Sequence, residues 1–314
     1  MTEARGGRRA AVLGHPIGHS LSPVLHRAAY AALGLDAWRY DTVDVAAGQL
    51  AVFVESLTGE WAGLSLTMPL KQTVIPLLDH IEPLAEVVGA VNTVLVQAGR
   101  GRPVLTGANT DVHGIVMALA EALAPDGGPV PSARRTAAVL GGGATAASTL
   151  AALAQLGCPT PVVYVRSLGR IGGLMRAAHR MGVEPRYASI DAAPGEIGSA
   201  DLVVSTLPPH GADGLAAQLV ERSSGRTDGG PSHGVLLDVA YDPRLTALAA
   251  AWAGTGGVIV RGERMLLHQA AEQVRLMTGR TPPLTAMSAA LHAALVPTHT
   301  REPEDSARAT HRIL

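Results

Sequence analysis

Residues 136–165 carry no charged side chain. A stretch this long without charge is either a membrane span or the buried centre of an α/β unit. Its interior separates the two. Gly141, Gly142 and Gly143 stand together inside it, and prolines follow at 159 and 161. Such a turn and such breaks fit a strand at 136–140, a glycine turn, a helix at 144–156 and a strand at 162–165. Apolar strands of this kind are normal in a parallel sheet covered on both faces. No membrane segment is expected.

The same alternation extends over the chain. Strand patterns fall at 9–13, 38–43, 61–66, 91–96, 102–106, 201–205, 235–239 and 257–260, and helical patterns at 23–33, 50–57, 71–79, 112–124, 168–181, 214–220, 245–252 and 265–278. Ser22 is expected to cap the first helix, with Pro23 in its first turn. Residues 125–133 and 222–234 read as Gly/Pro- and Gly/Ser-rich loops, and the stretch from 297 as a polar, aperiodic tail. The fold class is α/β, an open and mostly parallel sheet covered by helices.

Charge and cysteine content remove other classes. The formal net charge of -1 argues against nucleic acid or a polybasic membrane surface. One cysteine, Cys158, rules out an internal disulfide framework. A reducing, cytoplasmic setting is expected. The histidines at 15, 19, 26, 210 and 233 match no zinc spacing, so no metal is expected.

The turn GGGATA at 141–146 follows a strand and opens a helix. Glycines there let a pyrophosphate approach the backbone, facing the amides of Ala144, Thr145 and Ala146. A merely structural tight turn is the other reading. The next strand ends in Arg166 and Ser167, with Arg170 close by and no acidic residue for ribose hydroxyls. Two guanidinium groups suit a 2′-phosphate, which favours NADP(H) over NAD(H). A solvated helix start is the alternative for these arginines.

Of the 25 basic side chains, Lys71 is the only lysine. It lies just past a strand pattern, and Asp111 lies at another strand-to-helix crossing, with Ser20, Ser22, Thr67, Asn92, Asn109 and Thr110 at similar junctions. Short polar groups around one ammonium and one carboxylate suit a small polyhydroxylated substrate. Such a pair can supply a proton and a positive field to a developing alkoxide. A surface lysine at a helix start is the alternative.

Together these motifs resemble the shikimate dehydrogenases, over about residues 9–280. The segments that carry the likeness are GHPIGHSLSPVLH (14–26), SLTMPLK (65–71), GAVNT (89–93), NTD (109–111), GGGATA (141–146), STLP (205–208), DVAYDP (238–243) and MLLHQA (265–270). The resemblance implies reversible, NADPH-dependent reduction of 3-dehydroshikimate to shikimate, a step toward aromatic amino acids. It implies Lys71 and Asp111 as the catalytic pair. Ser20 and Ser22 would bind the substrate carboxylate, and Thr67, Asn92, Tyr241 and Gln269 would be further substrate partners. Gly141, Gly142, Gly143, Ala144 and Thr145 would hold the pyrophosphate, Arg166, Ser167 and Arg170 the 2′-phosphate, and Thr206, Leu207, Pro208 and Gly262 the nicotinamide side.

It further implies two domains: a substrate domain of residues 1–109 plus 263–292, and a Rossmann-like NADP domain of 110–262, with the site in the cleft and a tail at 293–314. Monomer and homodimer both occur in the family. This chain departs at Val165, where the family has asparagine, at Ala108, where it often has an acid, and at Glu263–Arg264, a charged pair expected near the nicotinamide. Related enzymes acting on quinate, with NAD or NADP, or on aminoshikimate share the pattern. Both hydroxyls at 20 and 22 favour shikimate. A non-catalytic nucleotide-binding module would be expected to lack the Lys71–Asp111 pair.

Overall fold

The computed structural model describes residues 7–130, 133, 135–224 and 234–296. In chain order the elements are β1 (Arg9–Gly14), α1 (Ser22–Ala32), β2 (Arg39–Asp44), α2 (Leu50–Glu55), β3 (Trp61–Leu66), α3 (Leu70–Thr73), β4 (His80–Ile81), α4 (Pro83–Val88), β5 (Thr93–Gln97), β6 (Val104–Ala108) and α5 (Asp111–Leu123). There follow β7 (Ala137–Leu140), α6 (Ala144–Gln155), β8 (Val162–Val165), α7 (Gly172–Met181), β9 (Arg186–Ser189), α8 (Ala193–Glu196), β10 (Leu202–Ser205), α9 (Asp213–Ser224), β11 (Val235–Asp238), α10 (Ala247–Gly254), β12 (Val258–Arg261), α11 (Gly262–Thr278) and α12 (Leu284–Leu295).

They form two α/β domains around two sheets. The first sheet has the order β2-β1-β3-β5-β6-β4 and the second β12-β11-β10-β7-β8-β9. The second is parallel throughout and shows the doubly wound order, reversing between β7 and β10. Its central strands β7, β10 and β11 are buried at every residue, because helices cover both faces. The uncharged run 136–165 is therefore β7, turn, α6 and β8. Among the described residues no helix is long and apolar enough to cross a membrane.

The first sheet is mixed. β5 runs antiparallel between β3 and β6, with Thr93 opposite Ser65 on one side and Ala108 on the other. That reversal places the start of β5 beside the ends of β3 and β6. Asn92 thus arrives at the same edge as Thr67 and Asp111.

Several expectations change in detail. Ser22 does not cap α1. It is the first helical residue, and the Ser20 hydroxyl accepts from its amide at 3.4 Å. The segment at 71–79 is broken into α3 and a short 3-10 turn that contains Pro76. The elements β4, α4, β9, α8 and α12 carry little periodicity and escaped the pattern. α9 runs on to Ser224, and α12 reaches Leu295, beyond the expected tail boundary at 293. Residues 225–233 and 297–314, the remainder of the expected loop and tail, lie outside the described residues.

Candidate active site

A polar cavity of ≈ 260 Å³ opens between the ends of the two sheets. Lys71, from the first turn of α3, and Asp111, the first residue of α5, meet on its wall. Lys71 Nζ donates to Asp111 Oδ2 at 2.5 Å. The Asp111 side chain is 1% exposed and that of Lys71 14%. The ammonium is therefore the solvent-facing member of an otherwise sequestered pair. Ser20, Ser22, Thr67, Tyr241 and Gln269 line the same cavity. Burial pushes the Tyr241 phenol up, so it enters the site as a neutral hydroxyl.

Asn92 does not line this cavity; it lies behind it. Its Nδ2 faces Thr110 Oγ1 (2.9 Å), Asp111 Oδ1 (2.8 Å) and Gln269 Oε1 (2.9 Å), three acceptors for two hydrogens. Its Oδ1 accepts from the Thr110 amide at 2.8 Å and the Thr93 hydroxyl at 2.9 Å. Asp111 is thus held on one oxygen by Lys71 and on the other by Asn92. Because Gln269 Oε1 faces Asn92, the Gln269 amide hydrogens remain for the cavity.

Sequence patterns missed Gln273, one turn beyond Gln269 on α11 and 1% exposed. Its Oε1 accepts from Ser65 Oγ (2.9 Å) and His26 Nε2 (3.2 Å), and its Nε2 donates to Thr93 Oγ1 (3.0 Å) and Asn92 O (3.3 Å). Tyr40 OH donates in turn to Ser65 Oγ at 2.7 Å. The only signal available was the i, i+4 spacing to Gln269.

His26 is fully buried, stacked on Tyr40 with ring centroids 4.0 Å apart, and its Nδ1 has no partner. Desolvation lowers its pKa to about 4, against the opposing bond to Gln273. The unfolded chain binds this proton below about 6.5, whereas the folded chain refuses it until about 4. Stability is therefore lost as pH falls through that window, by up to about 3 kcal/mol from this group. Urea unfolding at pH 7 and pH 5 should show a smaller acid-side loss in His26→Phe than in the parent. Equal losses would refute this account.

The glycine turn lies at the end of β7. Gly141 has φ +113°, and a Cβ there would run into Thr206 Oγ1, so the turn requires glycine. Thr206 Oγ1 is engaged with Leu140 O at 2.9 Å. A second cavity, ≈ 360 Å³, is lined by Gly142, Gly143, Ala144, Arg170, Arg176 and Arg180 among others. Three guanidinium groups, no carboxylate and the start of the twelve-residue α6 make it an anion site. Arg166 and Ser167 are exposed after β8 and do not line it. Leu207 and Pro208 line neither cavity. Arg176 and Arg180, four apart on α7, were not anticipated.

The two cavities share a wall. Lys71 lines the first and Gln72 the second; Thr145 lines the first and Ala144 the second. Gly262 belongs to the first cavity, but Glu263 and Arg264 do not line it. Glu263 faces Arg244 at 3.5 Å, and Arg264 Nε donates to Glu121 Oε2 at 2.8 Å.

A doubly wound sheet, a glycine-turn anion site and an adjoining polar cavity with a Lys–Asp pair define an enzyme that holds a phosphate-bearing cofactor beside a small polar substrate. Two family models match: the shikimate dehydrogenase substrate binding domain over residues 12–94 and the shikimate 5'-dehydrogenase C-terminal domain over 262–292. The chain is 33% identical over 292 residues to the shikimate dehydrogenase (NADP(+)) of Methanothermobacter thermautotrophicus, covering 90% of this chain and 95% of that one. Its fold is similar to the crystal structure of Mycobacterium tuberculosis shikimate dehydrogenase, with TM-score 0.76, 37% identity and 91% and 99% coverage of the two chains. It is also similar to quinate dehydrogenase from Corynebacterium glutamicum in complex with NAD, with TM-score 0.76, 26% identity and coverage of 92% and 99%. The chain belongs to the shikimate dehydrogenase family, whose members carry out NAD(P)-dependent shikimate or quinate dehydrogenation.

Proposed function

We propose that this chain reduces 3-dehydroshikimate to shikimate, reversibly, with NADPH. The observation that carries the reading is the shared wall, which sets the Lys71–Asp111 pair beside an arginine-lined anion cavity. The glycine turn, the start of α6 and Arg170 fit the phosphates of a dinucleotide. When bound, its nicotinamide ring supplies or accepts the hydride.

Lys71 faces the C3 oxygen. In the reducing direction its ammonium stabilises the negative charge that develops there and takes part in delivering the proton. Asp111 accepts from the neighbouring hydroxyl and keeps Lys71 oriented, while Asn92 fixes the Asp111 carboxylate. The Ser20 and Ser22 hydroxyls donate to the substrate carboxylate. Tyr241 closes that end, and Thr67 and Gln269 hold ring hydroxyls. We place the substrate domain at residues 1–109 plus 263–292 and the dinucleotide domain at 110–262, with the cleft closing over the bound pair.

A rival reading, quinate oxidation with NAD, draws on the Corynebacterium relative. The two hydroxyls at 20 and 22 and the absence of a carboxylate after β8 favour shikimate with NADP(H). Steady-state rates with shikimate, quinate and aminoshikimate, each with NADP and NAD, should show the highest kcat/KM for shikimate with NADP. A preference for quinate with NAD would overturn the reading. Arg170→Gln, and the same change at Arg166, should lower kcat/KM for NADPH about tenfold or more, as for loss of a charge-assisted bond. NADH should be barely affected; equal losses would remove the 2′-phosphate role.

A further inference from the structure

The function above leaves unexplained the glycine that opens the GAVNT segment and the two arginines of α7. The structure joins them. α4 ends at Gly89, in the left-handed conformation with φ +71°. Arg180, reaching across from the dinucleotide sheet's α7, donates Nε to Val87 O at 3.1 Å. Its Nη2 lies 2.6 Å from where a Cβ on Gly89 would stand. Glycine therefore leaves a seat in which a cation from one domain covers the carbonyl end of a helix in the other, where the helix dipole favours it. The same side chain lines the arginine-rich cavity, together with Gly142 and Gly143.

We propose that Arg180 is a latch that makes dinucleotide binding and closure of the substrate domain one coupled event. This rests on the reading of the second cavity as the site of the dinucleotide's phosphates. A guanidinium has five N–H donors arranged in a planar fork. With Nε already on the α4 carbonyl, the remaining donors can meet a phosphate oxygen, so a filled cavity fixes the side chain that joins the two domains. Arg170 lines the same cavity without a bond to α4. It adds affinity for the anion but not the link between domains.

The coupling is readable as a ratio. Calorimetric titration of shikimate into the chain alone, and into the chain saturated with NADPH, measures how much the dinucleotide tightens substrate binding. Coupling between sites is commonly about 5–150-fold. The unsubstituted chain should show a factor in that range. Arg170→Gln should weaken NADPH yet keep the factor once saturated. Arg180→Gln should bring the factor down to about one. Arg180→Lys should recover part of the NADPH affinity without the factor, because an ammonium lacks the rigid fork. An unchanged factor in Arg180→Gln overturns the latch alone. Failure of the unsubstituted chain to bind NADPH or shikimate overturns the reading of the two cavities, and the latch with it.

Discussion

Lys71→Met should lower kcat by about 10²–10⁴-fold, the range for loss of a positioned acid–base group. KM for the cyclic substrate should move by less than about tenfold, because the serines and Gln269 proposed to hold the rest of the ring are untouched. Methionine keeps the apolar stem and removes the ammonium, so the change isolates the charge. Asp111 then loses the partner on Oδ2 while keeping Asn92 on Oδ1. Asp111 is 1% exposed, and leaving it as an unpaired buried carboxylate would cost about 3–5 kcal/mol. The variant should therefore be less stable as well as slow, and circular dichroism at the assay temperature separates unfolding from lost chemistry. A folded variant with kcat within tenfold of the parent would exclude Lys71 from the reaction. Acylation of this only lysine should give the same loss, and bound substrate should slow it.

Gln273→Leu should destabilise the chain by about 2–4 kcal/mol. Its carboxamide bonds Ser65, His26, Thr93 and the Asn92 carbonyl, and each buried group left without a partner costs about 1–3 kcal/mol. Partial relaxation keeps the total below the sum. Leucine is close in volume, so the loss reports polar satisfaction rather than a cavity. Because Asn92 also positions Asp111, kcat should fall in the variant even where it remains folded. A denaturation midpoint and a kcat both equal to the parent's would show that this network carries neither stability nor alignment.

The residues that announced themselves were those whose role is local. The glycine turn at 141–143 reads from the strand before it and the helix after it, and its steric demand is visible in the φ of Gly141. Lys71 and Asp111 read as strand-end residues because parallel strands in such units deliver their carboxyl ends to one edge. Asn92 could be assigned to the site but not to its layer. Periodicity does not encode strand direction, and it is the antiparallel β5 that sets Asn92 behind Asp111 rather than in the cavity. Gln273 went unsignalled, since its burial comes from packing α11 against strands some 180–210 positions earlier in the chain. Arg176 and Arg180 carried no signal in the sequence, and both are exposed in the structure. Their meaning depends on α4, too short to leave a pattern. Glu263 and Arg264 sat next to Gly262 in sequence, yet the first turn of α11 points them to the opposite side.

The partition between the two cavities is only one residue thick at 71–72 and again at 144–145. That has a consequence for anyone recombining this protein with a relative. A graft that exchanges the whole second sheet for one tuned to another dinucleotide imports Thr145 and with it a piece of the wall of the Lys71–Asp111 cavity. A graft of the first sheet carries Gln72 into the neighbouring compartment. The two cavities are therefore not interchangeable modules, and a crossover near residue 110 alters the lining of both at once.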